Sequence, residues 1–484
     1  MDFRKHTIAS IHAGLKEKKF SAREIATDAL ATITKKNPAL NAFLAVRDNV
    51  VVEAEATDRR LAAGEELRPL EGIPIALKDN LVMTGERTTA ASKILEPYQG
   101  TYTGTAVTRL QAAGAVVIGK TNLDEFAMGS STENSAFGPS RNPWNPELVP
   151  GGSSGGSAVA VAAGMAMAAL GSDTGGSIRQ PASFTNLVGF KPTYGRVSRY
   201  GLIALASSLD QIGPFTRTVE DAAVVYTAMA GHDDNDATSS PKHLDHLADA
   251  MTQPLTGLRV GIPKEFFVEG VDPAVAATVM SAAKELEKQG ATLVDVSVPH
   301  APQALATYYI ILPAEASSNL ARFDGIRYGL SDRSGNSLGD VYRRSRDAGF
   351  GPEVKRRIIL GTFALSSGYS DAYYHQANRV RAVLREEFHQ VFDSVDVLLT
   401  PTSPILPFPF GDKTKDPLQM YLADLLTIPA NLANIPAMSL PAGFVNGLPV
   451  GMQLMAREWD EATIFRTAGA YQRATDWHTR IAAA

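Results

Sequence analysis

The chain has 484 residues with 46 Lys or Arg against 51 Asp or Glu, a formal net charge of -5, so it carries no global basic footprint for direct nucleic-acid binding. Zero cysteines exclude disulfides, thiolate metal ligands and a cysteine nucleophile together, and suit a reducing cytoplasmic setting. No signal segment or apolar run of about 20 residues is present, so no membrane contact is expected.

Taken in order, Ile8, Ile11 and Leu15 share one helical face, and Ser21-Ala-Arg-Glu24 forms a capping box that opens a second helix, expected to stop before Pro38. A third helix is expected over residues 49–63, closed by Gly64. Residues 70–78 (LEGIPIALK) read as a buried strand that ends on Lys78. A lysine at a strand end commonly buries its stem and keeps its charge in water. Here Ile73, Ile75, Ala76 and Leu77 leave little room for that water.

Residues 113–121 (AGAVVIGKT) match the phosphate-loop pattern through Gly114 and Gly119-Lys120-Thr121. The intervening Ala-Val-Val-Ile is strand composition rather than loop, so the match is set aside. The elbow-like run Gly151-Gly-Ser153-Ser-Gly155 follows a segment with three prolines that cannot be the required central strand. Ser-Ser-Pro-Lys from Ser239 lies in a polar loop and is likewise set aside.

Residues 150–181 hold two Gly/Ser clusters around a small-residue apolar segment, read as a helix over 154–163 and a strand over 165–171, divided by Gly164. Between 145 and 183 the only charges are Glu147, Asp173 and Arg179. That composition is packed backbone, not a flexible linker. Glycine-rich turns let several N–H groups converge on one anion, which places Ser153 and Ser177 where a nucleophile and its oxyanion donors belong. All nine histidines fall outside residues 16–231. A lysine kept neutral by desolvation is the alternative base, and Lys78 is the candidate.

The cluster Gly152-Ser153-Ser154-Gly155-Gly156, the run GSDTGGSIRQP ending at Pro181, and Lys78 together resemble the amidase signature family. The resemblance implies that Ser177 is the acyl-forming nucleophile, Lys78 the base, and Ser153 the bridging serine whose peptide bond the family holds cis. Longer blocks, TNLDEFAMGSSTENSAFGPSRNPWN from Thr121, KPTYGRVSRYGLIALASSLDQIGP from Lys191, YYIILPAEASSNLARFDGIRYG from Tyr308 and EVKRRIILGTFALSSGY from Glu353, are similar to the glutaminase subunits of tRNA-dependent amidotransferases. Such subunits hydrolyse glutamine and pass ammonia to partner subunits B and C of a heterotrimer, which amidate Glu-tRNA(Gln) or Asp-tRNA(Asn) with ATP. The resemblance therefore implies no cofactor or metal in this chain, and ATP with Mg²⁺ on a partner.

An amide carbonyl resists attack, so a hydroxyl nucleophile needs a base and donors for the developing oxyanion. Neutral Lys78 is expected to take the proton of Ser177 through Ser153, with the N–H groups of Thr174, Gly175, Gly176 and Ser177 as the oxyanion hole. Free glutamine also presents an α-carboxylate and an α-ammonium. By resemblance Arg357 meets the first and Asp424 the second, with Arg356 left open as the alternative to Arg357. A single α/β domain over 1–484 is expected, with a mixed central sheet covered by helices on both faces. It would hold the Lys-Ser-Ser site within 60–230 and a helix-rich cap over about 273–394, strand-like only near Leu293 and Tyr309. Buried strands are expected over 396–400 and 448–454. Two other readings stand beside this one, a stand-alone amidase acting on another amide and a catalytically silent assembly subunit.

Overall fold

Strand-forming runs from along the whole chain meet in one eleven-stranded mixed sheet in the computed structural model, which describes residues 1–414 and 417–483. The strands are β1 (Phe43–Val46), β2 (Pro74–Lys78), β3 (Val116–Thr121), β4 (Ala168–Asp173), β5 (Val188–Lys191), β6 (Gln211–Thr216), β7 (Arg259–Pro263), β8 (Thr292–Val296), β9 (Val397–Pro401), β10 (Ala437–Val445) and β11 (Leu448–Ala456). They lie side by side in the order β1-β3-β2-β4-β6-β5-β10-β11-β9-β7-β8. β2 runs parallel to β3 and β4, and β7 parallel to β8 and β9; the remaining pairings are antiparallel.

Side chains alternate across a strand, and here both faces are apolar. In β9, Val397 and Leu399 enter one buried layer and Leu398 the other; in β11, Leu454 and Ala456 enter the first and Met455 the second. A sheet buried on both sides needs helices on both sides, and this is the α/β architecture expected from the sequence.

The Ser21–Glu24 capping box opens the helix Ala22–Leu40 as expected, but that helix runs through Pro38. Pro38 forfeits only one backbone bond in the last turn, and Asn41, at φ 47°, then closes it in the left-handed conformation. The strand expected over 70–78 enters the ladder only at Pro74, because residues 70–73 form a turn with Gly72 at φ 72°. The helix over 154–163 is observed as Gly155–Ala162, whereas the strand after Gly164 starts later, at Ala168, and runs to Asp173. The strand-like run near Leu293 is β8, but Tyr309 lies inside the helix Ala304–Asn319. That helix buries Ala304, Thr307, Tyr308, Ile311 and Leu312, and a helix apolar on most sides has no amphipathic period to separate it from a strand.

The phosphate-loop look-alike is β3, all of it buried. Lys120 Nζ donates to Asp79 Oδ1 at 3.1 Å, Thr88 Oγ1 at 3.0 Å and the Leu81 carbonyl at 2.6 Å. It is a structural cation inside the fold. Between β8 and β9 the chain passes through the helices Ala304–Asn319, Leu338–Gly349, Pro352–Ala364 and Gln376–Ser394. Among the described residues no helix is long and apolar enough to cross a membrane.

Candidate active site

The parallel register sets Leu77 of β2 beside Leu170 of β4, so Lys78 and Ser172 emerge together at the carboxyl ends of neighbouring parallel strands, where α/β sheets place their ligands. Lys78 is fully buried. Its Nζ lies 2.8 Å from Ser153 Oγ, 2.7 Å from Ser154 Oγ and 3.0 Å from Ser172 Oγ, and among the described residues no carboxylate forms an ion pair with it. Burial lowers its pKa to about 7, against the opposing pull of the more distant Asp124, Asp173 and Asp210. Near neutral pH much of the Lys78 population is an amine able to accept a proton.

Ser153 follows a cis Gly152–Ser153 peptide, and Ser154 caps the helix Gly155–Ala162. The Ser154 N–H donates to the Ser177 carbonyl at 3.2 Å, which ties the two Gly/Ser loops together. Ser177 is 8% exposed where Ser153 and Ser154 are sealed, and its hydroxyl has no hydrogen-bond partner among the described residues. Lys78 and Ser153 are therefore in contact, while Ser177 stands on the adjoining loop with its hydroxyl free. Of the four expected oxyanion donors, Gly176 N–H is engaged by Asp173 Oδ1 at 2.9 Å. The N–H groups of Thr174, Gly175 and Ser177 have no protein partner among the described residues. A Cβ on Gly175 would come within 2.5 Å of Tyr308 Oη, and one on Gly176, at φ 136°, within 2.1 Å of Thr427 Oγ1; side chains at either place would displace the loop.

Three buried carboxylates hold these loops. Asp173 receives Arg179 through two contacts of 3.0 Å, together with Asn431 Nδ2 at 2.8 Å. Burial pushes its carboxyl up, but the Arg179 charge and hydrogen bonds outweigh that and hold it at about 2. Asp124 accepts the N–H groups of Thr132 at 2.8 Å and Asn134 at 3.0 Å, fixing the loop behind Gly152. Asp210 accepts Thr174 Oγ1 at 2.7 Å. Burial raises both Asp124 and Asp210 to about 6.

Of the cations in the Lys355-Arg356-Arg357 run, Arg357 is the one that turns inward, with its side chain 4% exposed against 45% for Arg356. Arg357 Nε donates to Glu353 Oε1 at 2.8 Å, its guanidinium lies 5.3 Å from the ring centres of both Tyr309 and Tyr421, and its terminal nitrogens make no hydrogen bond among the described residues. Arg356 pairs with Glu353 on the outer surface. Asp424 is buried, accepts a hydrogen bond from Ser130 Oγ, and is pushed up to about 7 by that burial. The turn holding it is fastened to the nucleophile loop: Thr427 Oγ1 donates to the Gly175 carbonyl at 2.7 Å, and Thr427 N–H to the Asp424 carbonyl at 3.1 Å. Gln180 closes the circuit, donating to the Ser130 carbonyl and accepting the Gly152 N–H, both at 3.0 Å.

Sequence reasoning missed Ser154 and Ser172 as Lys78 partners, and Ser130, Tyr309 and Tyr421 around Asp424 and Arg357. It also gave Asp173 and Arg179 no role, although two lone opposite charges in an otherwise uncharged segment are the signature of a buried pair. Among the described residues no histidine hydrogen-bonds Ser153, Ser154 or Ser177.

The amidase family model matches residues 24–465. The chain is 54% identical over 475 residues to the A component of the glutamyl-tRNA(Gln) amidotransferase of Chloroflexus aggregans, covering 98% of this chain and 97% of that one. It is 53% identical over 474 residues to the component of the same name from Geobacillus kaustophilus, covering 98% of each. Among solved structures, the corresponding component from Thermotoga maritima superposes with a TM-score of 0.82 at 45% identity, over 98% of this chain and 95% of that one. The peptide amidase of Stenotrophomonas maltophilia superposes equally well, at 0.82, but at 29% identity, over 97% and 96%.

Proposed function

We propose that this chain, which belongs to the amidase family, is the glutamine-hydrolysing subunit of a tRNA-dependent amidotransferase. The observation that carries this reading is a fully buried Lys78 with no carboxylate partner among the described residues, 2.8 Å from Ser153 and beside the loop of Ser177, in a chain that matches amidotransferase subunits over 98% of its length. Fold alone does not choose between a stand-alone amidase and an amidotransferase subunit, because a peptide amidase shares it; full-length identity above 50% favours the subunit.

Lys78 Nζ takes the proton of Ser153 Oγ as Ser153 takes that of Ser177, and Ser177 Oγ adds to the glutamine carboxamide carbon. The oxyanion accepts from the N–H groups of Thr174, Gly175 and Ser177, and Gly176 joins them if its bond to Asp173 opens; loss of one such donor costs about 3 kcal/mol at the transition state. On collapse the carbon–nitrogen bond breaks, the leaving nitrogen regains the proton through Ser153, and ammonia departs. Water then releases glutamate. Arg357 receives the α-carboxylate through its terminal nitrogens, which make no hydrogen bond among the described residues, and Asp424 the α-ammonium. Replacing either by Ala is expected to raise KM for glutamine about 100-fold with little change for an amide lacking both α-charges; equal effects on the two substrates would mark the pair as structural.

Transamidation also needs ATP with Mg²⁺ and a tRNA surface. We assign these to partner subunits B and C in the cytoplasm, since the phosphate-loop look-alike is a buried strand and the net charge is negative. With those subunits present, glutamine hydrolysis is expected to rise when ATP and Glu-tRNA(Gln) or Asp-tRNA(Asn) are added. The isolated chain should respond to neither; tight tRNA binding or ATP hydrolysis by the chain alone would overturn the subunit reading.

A further inference from the structure

Glu125 lies outside the reaction machinery, yet it is buried at the start of the helix that carries Arg357. Its Oε2 accepts the Gly351 N–H at 2.8 Å, and its Oε1 meets Ser92 Oγ, which lies 3.1 Å from the Gly349 carbonyl. Gly349 ends the helix Leu338–Gly349, and Gly351 caps the helix Pro352–Ala364 with no side chain of its own to do so. One carboxyl group therefore meets both ends of a three-residue link, Gly351 directly and Gly349 through Ser92. Glu353 and Arg357 follow on the second helix at one-turn spacing, so a shift of its first turn moves both. Phe350, at the middle of the link, packs on Phe126, but on the other side a cavity of about 400 Å³ lies against it, bordered by Glu125, Phe350, Gly351 and Glu353. The adjacent Asp124 holds the loop behind Gly152, which places the nucleophile's support and the helix's support on neighbouring residues of one segment.

We propose that Glu125 is a positioning residue for substrate selection: it sets the register of the Pro352–Ala364 helix and, through it, the placement of Arg357 against an α-carboxylate. This rests on the assignment of Arg357 to glutamine made above. The clamp needs an acceptor for Gly351 N–H and a polar partner for Ser92, not a charge. A glutamine supplies both, its carbonyl accepting from Gly351 and its NH₂ donating to Ser92 Oγ.

The test compares Glu125→Ala, Glu125→Gln and Gly351→Ala, assayed with glutamine and with a simple amide lacking α-charges. Loss of the clamp lets Arg357 drift, and misplacement by about 1 Å costs up to about 100-fold. Glu125→Ala is expected to raise KM for glutamine at least tenfold, with kcat and the kinetics of the simple amide nearly unchanged. Glu125→Gln should stay near wild type. In Gly351→Ala the new Cβ meets Glu125 Oε2 at 2.3 Å and should raise KM in the same selective way; it stands in if Glu125→Ala does not fold. Equal losses on both substrates, a fall in kcat alone, or Glu125→Gln behaving like Glu125→Ala would overturn the proposal. If Arg357→Ala itself shows no selectivity for α-charged substrates, it is the glutamine assignment that has failed, which separates the two.

Discussion

Ser177→Ala is expected to lower kcat for glutamine hydrolysis about 10⁴-fold or more, the scale on which removal of a nucleophile acts when its partners cannot substitute for it. The fold should be indifferent to the change. Ser177 Oγ has no hydrogen-bond partner among the described residues, and the contact that joins its loop to Ser154 runs through its backbone carbonyl. An unchanged melting temperature with activity lost is the expected pair of results. Retention of more than a few per cent of activity would move the nucleophile to another hydroxyl. The alternatives are poor: Ser153, Ser154 and Ser172 are all in contact with Lys78 and sealed from solvent.

Lys78→Arg is the second large effect. A guanidinium stays charged at any working pH, so the variant has no base, and it leaves a cation among three serine hydroxyls with no carboxylate in contact among the described residues. Loss of kcat by about 10⁴-fold is expected, with a lower melting temperature, since a buried unpaired charge is costly. Lys78→Met removes the charge along with the base and should be equally inactive but melt higher than Lys78→Arg. In the wild type, activity requires the neutral amine. Burial sets the pKa of Lys78 at about 7, so kcat/KM should fall about tenfold per pH unit below that value and level off above it. Asp424, raised to about 7 by burial, must be ionised to meet an ammonium and loses its charge over the same range. The acid limb should therefore be steeper for glutamine than for an amide without the α-ammonium. An active Lys78→Arg, or a flat profile between pH 5 and 8, would exclude the lysine base.

What could be read from the chain divides along a physical line. Local signals were sufficient where one short segment decides the outcome: the Ser21–Glu24 capping box, the glycine breaks at Gly64 and Gly164, the buried run ending at Lys78, and the strand character of residues 116–121 that removed a false phosphate loop. They failed where tertiary surroundings decide. Pro38 is tolerated because it falls in a last turn, and Tyr309 sits in a helix apolar on too many sides to show a period. The same holds at the site. The two Gly/Ser clusters and the buried strand end are local patterns, and they single out Lys78, Ser153 and Ser177, the residues proposed for the reaction. Ser172 reaches Lys78 only through the parallel register of β2 and β4, Ser130 reaches Asp424 only through the turn at residues 424–427, and Glu125 reaches Gly351 across more than two hundred residues of chain. That Arg357 turns inward and Arg356 outward is likewise a matter of burial, which a run of three cations does not reveal.

The most direct measurement is mass spectrometry of the protein quenched during glutamine turnover. A glutamyl adduct is expected on the peptide containing Ser177, growing as water attack is slowed and absent from Ser177→Ala. An adduct on the peptide containing Ser153 and Ser154 instead, or turnover by Ser177→Ala at the wild-type rate with no adduct anywhere, would contradict acyl transfer through Ser177.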